Sequence, residues 1–385
     1  MKIRLLIALA LNLPAAAWAS GLYLYEMGTE DVGLASAGSA ARAQDASVMA
    51  YNPAGLTQLQ GDVLTLGVQA LYGDTAYQPN RAPATDSVIG WFPGMSAFYS
   101  HSVDEDLKLG LGVYGNFGLS MDFGDWAGKS LMQKSTLVGM TVQPTVAYRL
   151  NDQWSIGASI NANYGIFALE RNALGQDYKL DDSDWSHNAK IGLLYQHDAQ
   201  TRVGLSYTSK TQYEFTGHAT GLATSGLPLS GTVNAPQQLL LSAYHQINPQ
   251  WAVMGNLGWQ DWSAYNKNEL WLGQQSKPAG TMMRDTWHAA VGVQYQVNSA
   301  LRLNTGLAFD SSIYQDQSNT SLAIPAGDTL RWGMGAQYQI DQRSSIGAAL
   351  EIARIDGSSV ANPIVGGRYD DSTLTFLTVN YSRSF

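Results

Sequence analysis

The stretch WHAAVGVQYQV, residues 287–297, alternates between two kinds of side chain without a break. Its odd positions are apolar (Trp287, Ala289, Val291, Val293, Tyr295 and Val297), and its even positions are polar or small (His288, Ala290, Gly292, Gln294 and Gln296). A period of two predicts a β-strand with one apolar face and one face that tolerates water.

The same period recurs from Asp62 to the end of the chain and predicts about fourteen strands, an even number within the range of membrane barrels. The predicted strands are Asp62–Gly73, Phe92–Ser102, Leu107–Gly118, Ser135–Leu150, Gln153–Phe167, Trp185–Gln196, Arg202–Gly217, Gln237–Ile247, Gln250–Tyr265, Asp285–Val297, Ala300–Ser311, Asp328–Ile340, Arg343–Ile355 and Asp371–Phe385.

An antiparallel sandwich also alternates, and three further features favour a transmembrane barrel. Aromatic residues stand near the ends of many apolar faces, as membrane interfaces require: Trp154, Trp251, Trp259, Trp287, Tyr295, Trp332 and Tyr338. Some connections are tight, such as residues 151–152, 248–249 and 341–342, whereas Gly73–Gly90 and Arg171–Asp184 look like long polar loops. The chain also ends on an apolar face and an aromatic residue, Phe385.

Composition excludes several classes of protein. Residues 1–19 have a cationic start, a short apolar run and an A-x-A site, which predicts a cleaved secretory signal peptide. Of 22 basic residues, Lys2 and Arg4 lie in this peptide, leaving 20 against 31 acidic residues, so no nucleic-acid partner is expected. The chain has no cysteine, its six histidines show no metal-ligand spacing, and no GxSxG motif occurs; no cofactor or metal is expected.

Residues 20–60 do not alternate and are rich in small side chains. A barrel of about fourteen strands is wider than its own side chains can fill, so this segment is predicted to form a hatch of short helices in the lumen. Its charged residues should pair with one another or with Arg302 and Arg331. Asp45 is predicted to cap a short helix that ends before Pro53.

These features resemble the long-chain fatty acid and hydrocarbon transport proteins of Gram-negative outer membranes. The resemblance is carried by residues 21–56, which include the Asn52-Pro53-Ala54 motif of the hatch, and by LGLGVYGNFGLSMDF, WQDWSAY and IPAGDTLRWGMGAQY. It implies an all-β outer-membrane barrel of about fourteen strands (61–385), a lumenal hatch (20–60) and uptake of hydrophobic molecules. The ending at Phe385 resembles the signal that bacterial barrels present to their assembly machinery.

Gly110, Gly112 and Gly115 spell GxGxxG, but a dinucleotide site needs a helix after the glycines, and here the alternation continues. Gly115 instead interrupts the apolar row, which predicts a bulge or kink, and Pro144 on the next strand cannot donate to a ladder. The resemblance implies that the third strand is kinked and opens a gap in the barrel wall at this position.

The predicted ligand route begins on the loop Ser120–Lys134, whose large apolar side chains form either a capture surface or a core shared with other loops. The candidate ligand-binding residues are Tyr23, Tyr114 and Phe117 in an internal pocket and Met121, Phe123, Trp126, Leu131 and Met132 on the loop. Movement of the hatch and lateral release near Gly115 would complete uptake.

The expected ligands are fatty acids, hydrocarbons or detergent-like lipids, taken up without catalysis by a monomer surrounded by outer-membrane lipids and lipopolysaccharide. Two other functions remain open. An outer-membrane lipid hydrolase would turn over esters and react with a serine-directed probe. A general diffusion porin would conduct ions in planar bilayers, whereas a hatched barrel would conduct little.

Overall fold

A computed structural model provides the fold. It describes residues 25–173, 175–218, 228–267, 269–272, 275–278 and 283–385, so the predicted signal peptide and Tyr23 lie outside the described residues.

Fourteen of the described strands close into one antiparallel barrel, as predicted. They are β1 Val63–Asp74, β2 Gly90–Ser102, β3 Leu107–Asp122, β4 Lys134–Arg149, β5 Trp154–Ala173, β6 Gln176–Gln196, β7 Thr201–Thr208, β8 Gln238–Gln246, β9 Trp251–Gln260, β10 Thr286–Gln296, β11 Leu301–Asp310, β12 Thr329–Gln339, β13 Ser344–Ile355 and β14 Ser372–Ser384. β14 pairs with β1 from Val63–Ser384 to Asp74–Thr373, which leaves no free edge at the closure.

The two faces of the wall follow the predicted alternation. In β10 the apolar residues Trp287 and Val291 point outward and are 63% and 64% exposed, whereas His288 and Gln294 point inward and are buried. Gly110, Gly112 and Gly115 all lie within β3, so the GxGxxG sequence is a strand and not a nucleotide loop.

Six turns of four residues join the strands at one end of the barrel, and all six use the same local bond. An Asp or Asn side chain accepts hydrogen bonds from two backbone N–H groups two and three residues later. Such Asx turns explain why these connections are short. The residues are Asp104, Asn151, Asp198, Asn248, Asn298 and Asp341.

At the opposite end, three sequence predictions were wrong. Arg171–Asp184 is no loop, because β5 runs to Ala173 and β6 starts at Gln176 as a hairpin. None of residues 176–189 is buried. Because neither face of this part of β6 is buried, its sequence lacks the alternating apolar residues from which a strand is predicted. The predicted strand Arg202–Gly217 is two strands: β7 ends at Thr208, and Thr211–His218 joins a separate four-stranded sheet with Pro228–Ala235, Glu269–Leu272 and Gln275–Pro278.

The predicted strand Gln250–Tyr265 ends at Gln260, and a 3-10 helix, Trp262–Lys267, follows it. Three short strands, Tyr77–Pro79, Ser358–Val360 and Gly367–Tyr369, form another small sheet at the same end. The N-terminal segment contains helix α1, Thr29–Gly33, and the 3-10 helices Ala46–Ala50 and Pro53–Gln58. Over the described part of the chain, every helix is too short or too polar to span a membrane.

Candidate functional site

The N-terminal segment, residues 25–60, lies against the inward-facing side of the barrel. Helix α1 contacts β11, β12, β13 and β14, and the two 3-10 helices contact β1 to β6. Most of its residues are buried, including the alanines at 35, 37, 40, 41, 46, 50 and 54. Because its contacts surround it on opposite walls, the segment occupies the lumen.

Inward-facing glycines let the segment's backbone approach the wall. A methyl group added at Gly204 would overlap the Ala40 carbonyl oxygen, and one added at Gly306 would overlap the Leu34 carbonyl oxygen. Because both obstructing atoms belong to the backbone, no change of rotamer relieves the overlap, and both positions require glycine.

Asn52 organises the hatch motif. Its Nδ2 donates to the Ala40 carbonyl at 2.8 Å and to the Leu193 carbonyl of β6 at 2.9 Å, while its Oδ1 accepts from the Ala54 N–H. Asn52 therefore caps the 3-10 helix that begins at Pro53 and ties it to the wall. Asp45 caps the preceding 3-10 helix by accepting from the Ser47 N–H at 2.8 Å, which confirms the predicted cap.

Buried charges join the segment to β11, β12 and β13. Arg331 pairs with Glu26, with Asp310 at 2.6 Å and with Glu351 at 3.0 Å. A second cluster joins Arg302 to Glu30, which also lies 3.1 Å from Arg42 Nε, and Arg42 contacts Asp31 at 2.5 Å. The predicted pairing of the segment's acids with Arg302 and Arg331 is confirmed. Burial raises the pKa of Asp31 to about 6, against the opposing effect of the Arg42 guanidinium.

Three side chains that the sequence did not connect have the distances of a Ser-His-Asp triad. Ser36 Oγ lies 2.9 Å from His288 Nε2, and His288 Nδ1 lies 2.6 Å from Asp310 Oδ1. The backbone N–H groups of Ser36, Ala37 and Gly38 already donate to other atoms, so they offer no pair for an oxyanion hole. Ser36 is 1% exposed, and the Tyr25 ring stacks on His288. The group is a packed contact between segment and wall.

The ladder between β2 and β3 is incomplete. Pairing extends from Ser102–Lys108 to Ser96–Tyr114; beyond it, residues 90–95 pair with β1 and residues 115–122 pair with β4. The register of β3 against β4 shifts between Gly115 and Phe117, which makes Asn116 an extra residue. The extra residue reverses the alternation of side chains along β3. Before Asn116 the odd-numbered residues face outward, whereas after it the odd-numbered Leu119 and Met121 are buried.

Pro144 lies on β4 opposite Leu111 of β3. On the side of β5, pairing is interrupted between Val142–Ala162 and Thr145–Ser159 without a shift in register. The side chain of the neighbouring Gln143 turns inward, donates to the Met49 carbonyl at 2.6 Å and accepts from the Tyr114 hydroxyl at 2.5 Å. This network links the 3-10 helix Ala46–Ala50 to the edge of the incomplete ladder.

A narrow cavity, here called the central cavity, lies inside the wall beside this edge. Tyr114 and Asn116 of β3 line one side of it, and residues from β4, β5, β6, β7 and β8, together with residues 211, 233–236 and 262, line the rest. Its lining includes Asn161, Asn163, Asn188, Lys190, Gln238 and Trp262. The lining of the cavity is both polar and apolar: side-chain amide groups lie beside Leu137, Val233 and the Trp262 ring.

The predicted capture residues Met121, at the end of β3, and Phe123, Trp126, Leu131 and Met132, on the loop that follows, are all buried, with exposures of 7% or less. They pack in one cluster with Tyr77, Leu137, Phe167, Tyr213 and Trp262 and with residues of the loops near 314, 324 and 369, here called the loop cluster. The structure therefore places them in a core shared between loops and not on an open surface. Phe117 follows the extra residue on β3.

Sequence reasoning missed Lys190, Gln143 and Trp262 as lining or network residues. The sequence offered a signal for Lys190, because it is a basic residue at an inward position within a strand. Burying a charged group there is costly unless it has a partner. Gln143 carried none, since a glutamine is ordinary on the polar face of a barrel strand.

Comparisons with known proteins agree with this architecture. A family model described as "Outer membrane protein transport protein (OMPP1/FadL/TodX)" matches residues 10–382. A long-chain fatty acid transport protein of Salmonella typhi is 27% identical over 411 residues, covering 93% of this chain and 92% of the relative. Outer membrane protein P1 of Haemophilus influenzae is 26% identical, with coverage of 98% and 95%.

Two solved structures share the fold. A Pseudomonas aeruginosa FadL homologue superposes with a TM-score of 0.84 at 18% identity, covering 95% of this chain and 100% of the homologue. The Pseudomonas putida toluene transporter TodX superposes with a TM-score of 0.75 at 18% identity, covering 94% and 99%.

Proposed function

The chain belongs to the OMPP1/FadL/TodX family of outer membrane transport proteins, and from this premise we propose that it takes up long-chain fatty acids or related hydrocarbons by passive diffusion. It is located in the outer membrane of a Gram-negative bacterium. The ligand enters through the loops, occupies the central cavity, and leaves sideways between β2 and β3.

The incomplete ladder supports this route most strongly. A fully paired barrel has no lateral opening, whereas here the pairing of β2 with β3 ends at Ser96–Tyr114, and Tyr114 and Asn116 line the central cavity at that point. The cavity therefore lies beside the part of the wall where this pairing is missing.

Transfer energetics favour lateral release. A sixteen-carbon acyl chain has about 15 methyl and methylene groups at about 0.8 kcal/mol each, or on the order of 12 kcal/mol in favour of an apolar surrounding. Release into the membrane keeps this stabilisation, whereas release into water loses it. No nucleotide or ion gradient is needed, because the ligand moves down its own gradient.

The N-terminal segment is the barrier below the cavity. It is proposed to act as a hatch spanning residues 20–60, which shifts when ligand occupies the cavity and allows the ligand to leave. The loop cluster closes the other side and has to open for entry, since its large apolar side chains are buried. Once the loop cluster opens, its apolar side chains would form the surface that first captures a hydrophobic ligand.

Other partners follow from the outer face. The exposed apolar rows are proposed to contact outer-membrane lipids and lipopolysaccharide, with the barrel acting as a monomer. Phe385 remains 62% exposed beyond β14 and is proposed to be read by the barrel-assembly machinery.

The test is to remove the irregularity of β3 beside the incomplete ladder. Deleting Asn116 removes the extra residue. Gly115→Val adds a bulky side chain at a position with room for its Cβ, because the nearest atom to a Cβ there, the Gly139 carbonyl oxygen, is 3.8 Å away. Uptake of a radiolabelled long-chain fatty acid by cells should fall several-fold in both. Ala289→Val, an outward residue in a continuous ladder, is the matched control. Wild-type uptake in a folded Asn116 deletion variant would refute lateral release.

The alternatives have separate readouts. Ester turnover or labelling of Ser36 by a serine-directed probe would indicate a hydrolase, and large ion conductance in planar bilayers would indicate a porin. We expect neither, because Ser36 is buried and the segment occupies the lumen.

A further inference from the structure

The membrane-facing surface of β8 to β12 carries an apolar groove. Its floor lies where Ala243 of β8 pairs with Gly255 of β9, because two small residues stand side by side in an outward-facing row. The larger Val291, Leu307 and Trp332 continue this row across β10, β11 and β12 and line the groove further. Its volume is about 530 Å³, which lies within the range of about 300–1,000 Å³ of ligand pockets.

A second depression continues the groove along the strands. It has a volume of about 580 Å³ and shares Ala243, Gly255, Val291 and Leu307 with the first. Both parts are open to the membrane side, because the shared residues Val291 and Leu307 point outward and are 64% and 51% exposed. The two depressions together form a channel along the outer face of the wall, here called the outer groove.

One end of the outer groove is polar. His245 of β8 lines this end, and its Nδ1 lies 3.0 Å from Thr201 Oγ1 of β7. When the Thr201 hydroxyl donates to Nδ1, the neutral imidazole carries its proton on Nε2, for which the described residues supply no acceptor. The Asx turn of Asn248 follows directly, and short turns face the periplasm in outer-membrane barrels. A free donor therefore stands at the periplasmic surface of the membrane, where the apolar groove begins.

We propose that the outer groove binds one phospholipid of the periplasmic leaflet, with an acyl chain along the groove and the phosphate at His245. Lipid tails are as apolar as the groove, so van der Waals packing holds the chain, and a groove offers more contacts than the convex wall around it. The phosphate accepts a charge-assisted hydrogen bond from the imidazole. A second barrel fits less well, because its own convex wall would leave the groove largely empty.

The outer groove lies far from the proposed exit for ligand. In the ring of fourteen strands, the seam between β2 and β3 stands opposite the seam between β9 and β10, which the groove spans. A lipid bound there is a lasting component of the wall and is not transported. The inference needs only the location in the outer membrane, so it can fail while the proposed uptake function stands.

Native mass spectrometry of the protein purified from outer membranes in a nonionic detergent tests the site. The probes are palmitoyl-oleoyl-phosphatidylethanolamine and the diacylglycerol with the same chains. The wild type should bind one phospholipid about tenfold more tightly than the diacylglycerol, because only the phosphate accepts a charge-assisted bond. His245→Ala should lose this preference and keep the affinity for the diacylglycerol. Ala243→Leu fills the floor and should weaken both probes about tenfold, whereas Ala158→Leu, an exposed outward alanine on β5, should weaken neither.

Several results would overturn the site. Wild-type phospholipid binding by Ala243→Leu is one, and a phospholipid preference that survives His245→Ala is another. Displacement of the phospholipid by lipopolysaccharide would assign the groove to the other leaflet, and a dimer that Ala243→Leu abolishes would assign it to a second copy of the chain.

Two controls separate this site from folding and from uptake. The heat-modifiable gel shift shows whether each variant is folded, and Ala289→Leu, in the second part of the outer groove, replaces Ala243→Leu if that variant is not. Fatty acid uptake by Ala243→Leu should equal that of the wild type, since the groove lies opposite the exit. Absence of uptake in the wild type would refute the proposed function and leave the lipid site standing.

Discussion

The two sides of the lumen hold the N-terminal segment in different ways. On the side of β10 to β13, Arg331 and Arg302 are paired with buried acids of the segment. On the side of β3 to β7, Lys190 and Gln143 bond only backbone carbonyls of the segment. The incomplete ladder and the central cavity also lie on this second side.

This difference indicates which side can move. Separating a buried ion pair leaves uncompensated charge, which costs several kcal/mol, whereas a bond to a carbonyl can be exchanged for one to a ligand or to water. We therefore expect the first side to anchor the segment and, if the segment shifts as proposed, the second side to exchange its bonds.

The anchor should be most sensitive at Arg331. Arg331→Met leaves Glu26, Asp310 and Glu351 buried without their cation, and we expect a loss of about 3–5 kcal/mol of unfolding free energy. Urea unfolding followed by the heat-modifiable gel shift measures it. Arg354→Met is the control, because Arg354 pairs with Asp371 at 2.7 Å while both side chains are more than half exposed; it should cost under about 1 kcal/mol. Equal losses would remove the distinction between anchor and surface.

On the exchangeable side, Asn52 should have the next largest effect. Asn52→Asp turns two donated bonds, to the Ala40 and Leu193 carbonyls, into repulsive oxygen contacts, and about 2–3 kcal/mol should be lost. The same unfolding assay measures the loss. Asn298→Asp should be neutral, because Asn298 only accepts bonds in its turn and Asp341 fills the same role elsewhere. A neutral Asn52→Asp would show that this side contributes little to holding the segment.

Acid should stabilise the fold through Asp31, which pairs with Arg42 inside the N-terminal segment. Burial raises the pKa of Asp31 to about 6 in the folded protein, so the folded state binds more protons than the unfolded state between about pH 4 and 6. The stability from this group is present at low pH and is lost as the pH rises through 6, on the order of 1 kcal/mol per pH unit in that window. Unfolding at pH 5 and pH 7 should show the change, and Asp31→Asn should remove it. An unchanged slope in that variant would assign the effect to other groups such as Asp45.

The smallest effect is expected at the edge of the cavity. Tyr114→Phe removes the hydroxyl that donates to Gln143, which should cost only about 1 kcal/mol of unfolding free energy. Hydrogen exchange in residues 46–50 should nevertheless rise, because Gln143 loses one of its fixed partners. Tyr148→Phe, an outward-facing change, should alter neither quantity. A loss comparable with that of Arg331→Met would mean that the exchangeable side is a second anchor.

Local patterns accounted for most of the wall and part of the site. The period of two located fourteen strands, Asp45 was found as a cap, and an irregularity was expected at Gly115, where the register of β3 shifts. These features depend on neighbouring residues, so a single stretch of chain contains the information. The hairpin at residues 171–184 escaped the same reasoning because neither of its faces is buried, and burial of one face is what creates the period.

The distribution of partners across the lumen depends on tertiary structure. Ser36 meets His288 across 252 positions of the chain, and Lys190 meets Ala50 across 140. The loop residues Met121 to Met132 were compatible with a surface or a core, and only packing against distant loops decided for a core. Alternation determines which way a side chain points, since that is set by the pleat of its own strand. It does not determine what stands opposite, because closure of the barrel around the N-terminal segment brings those groups together.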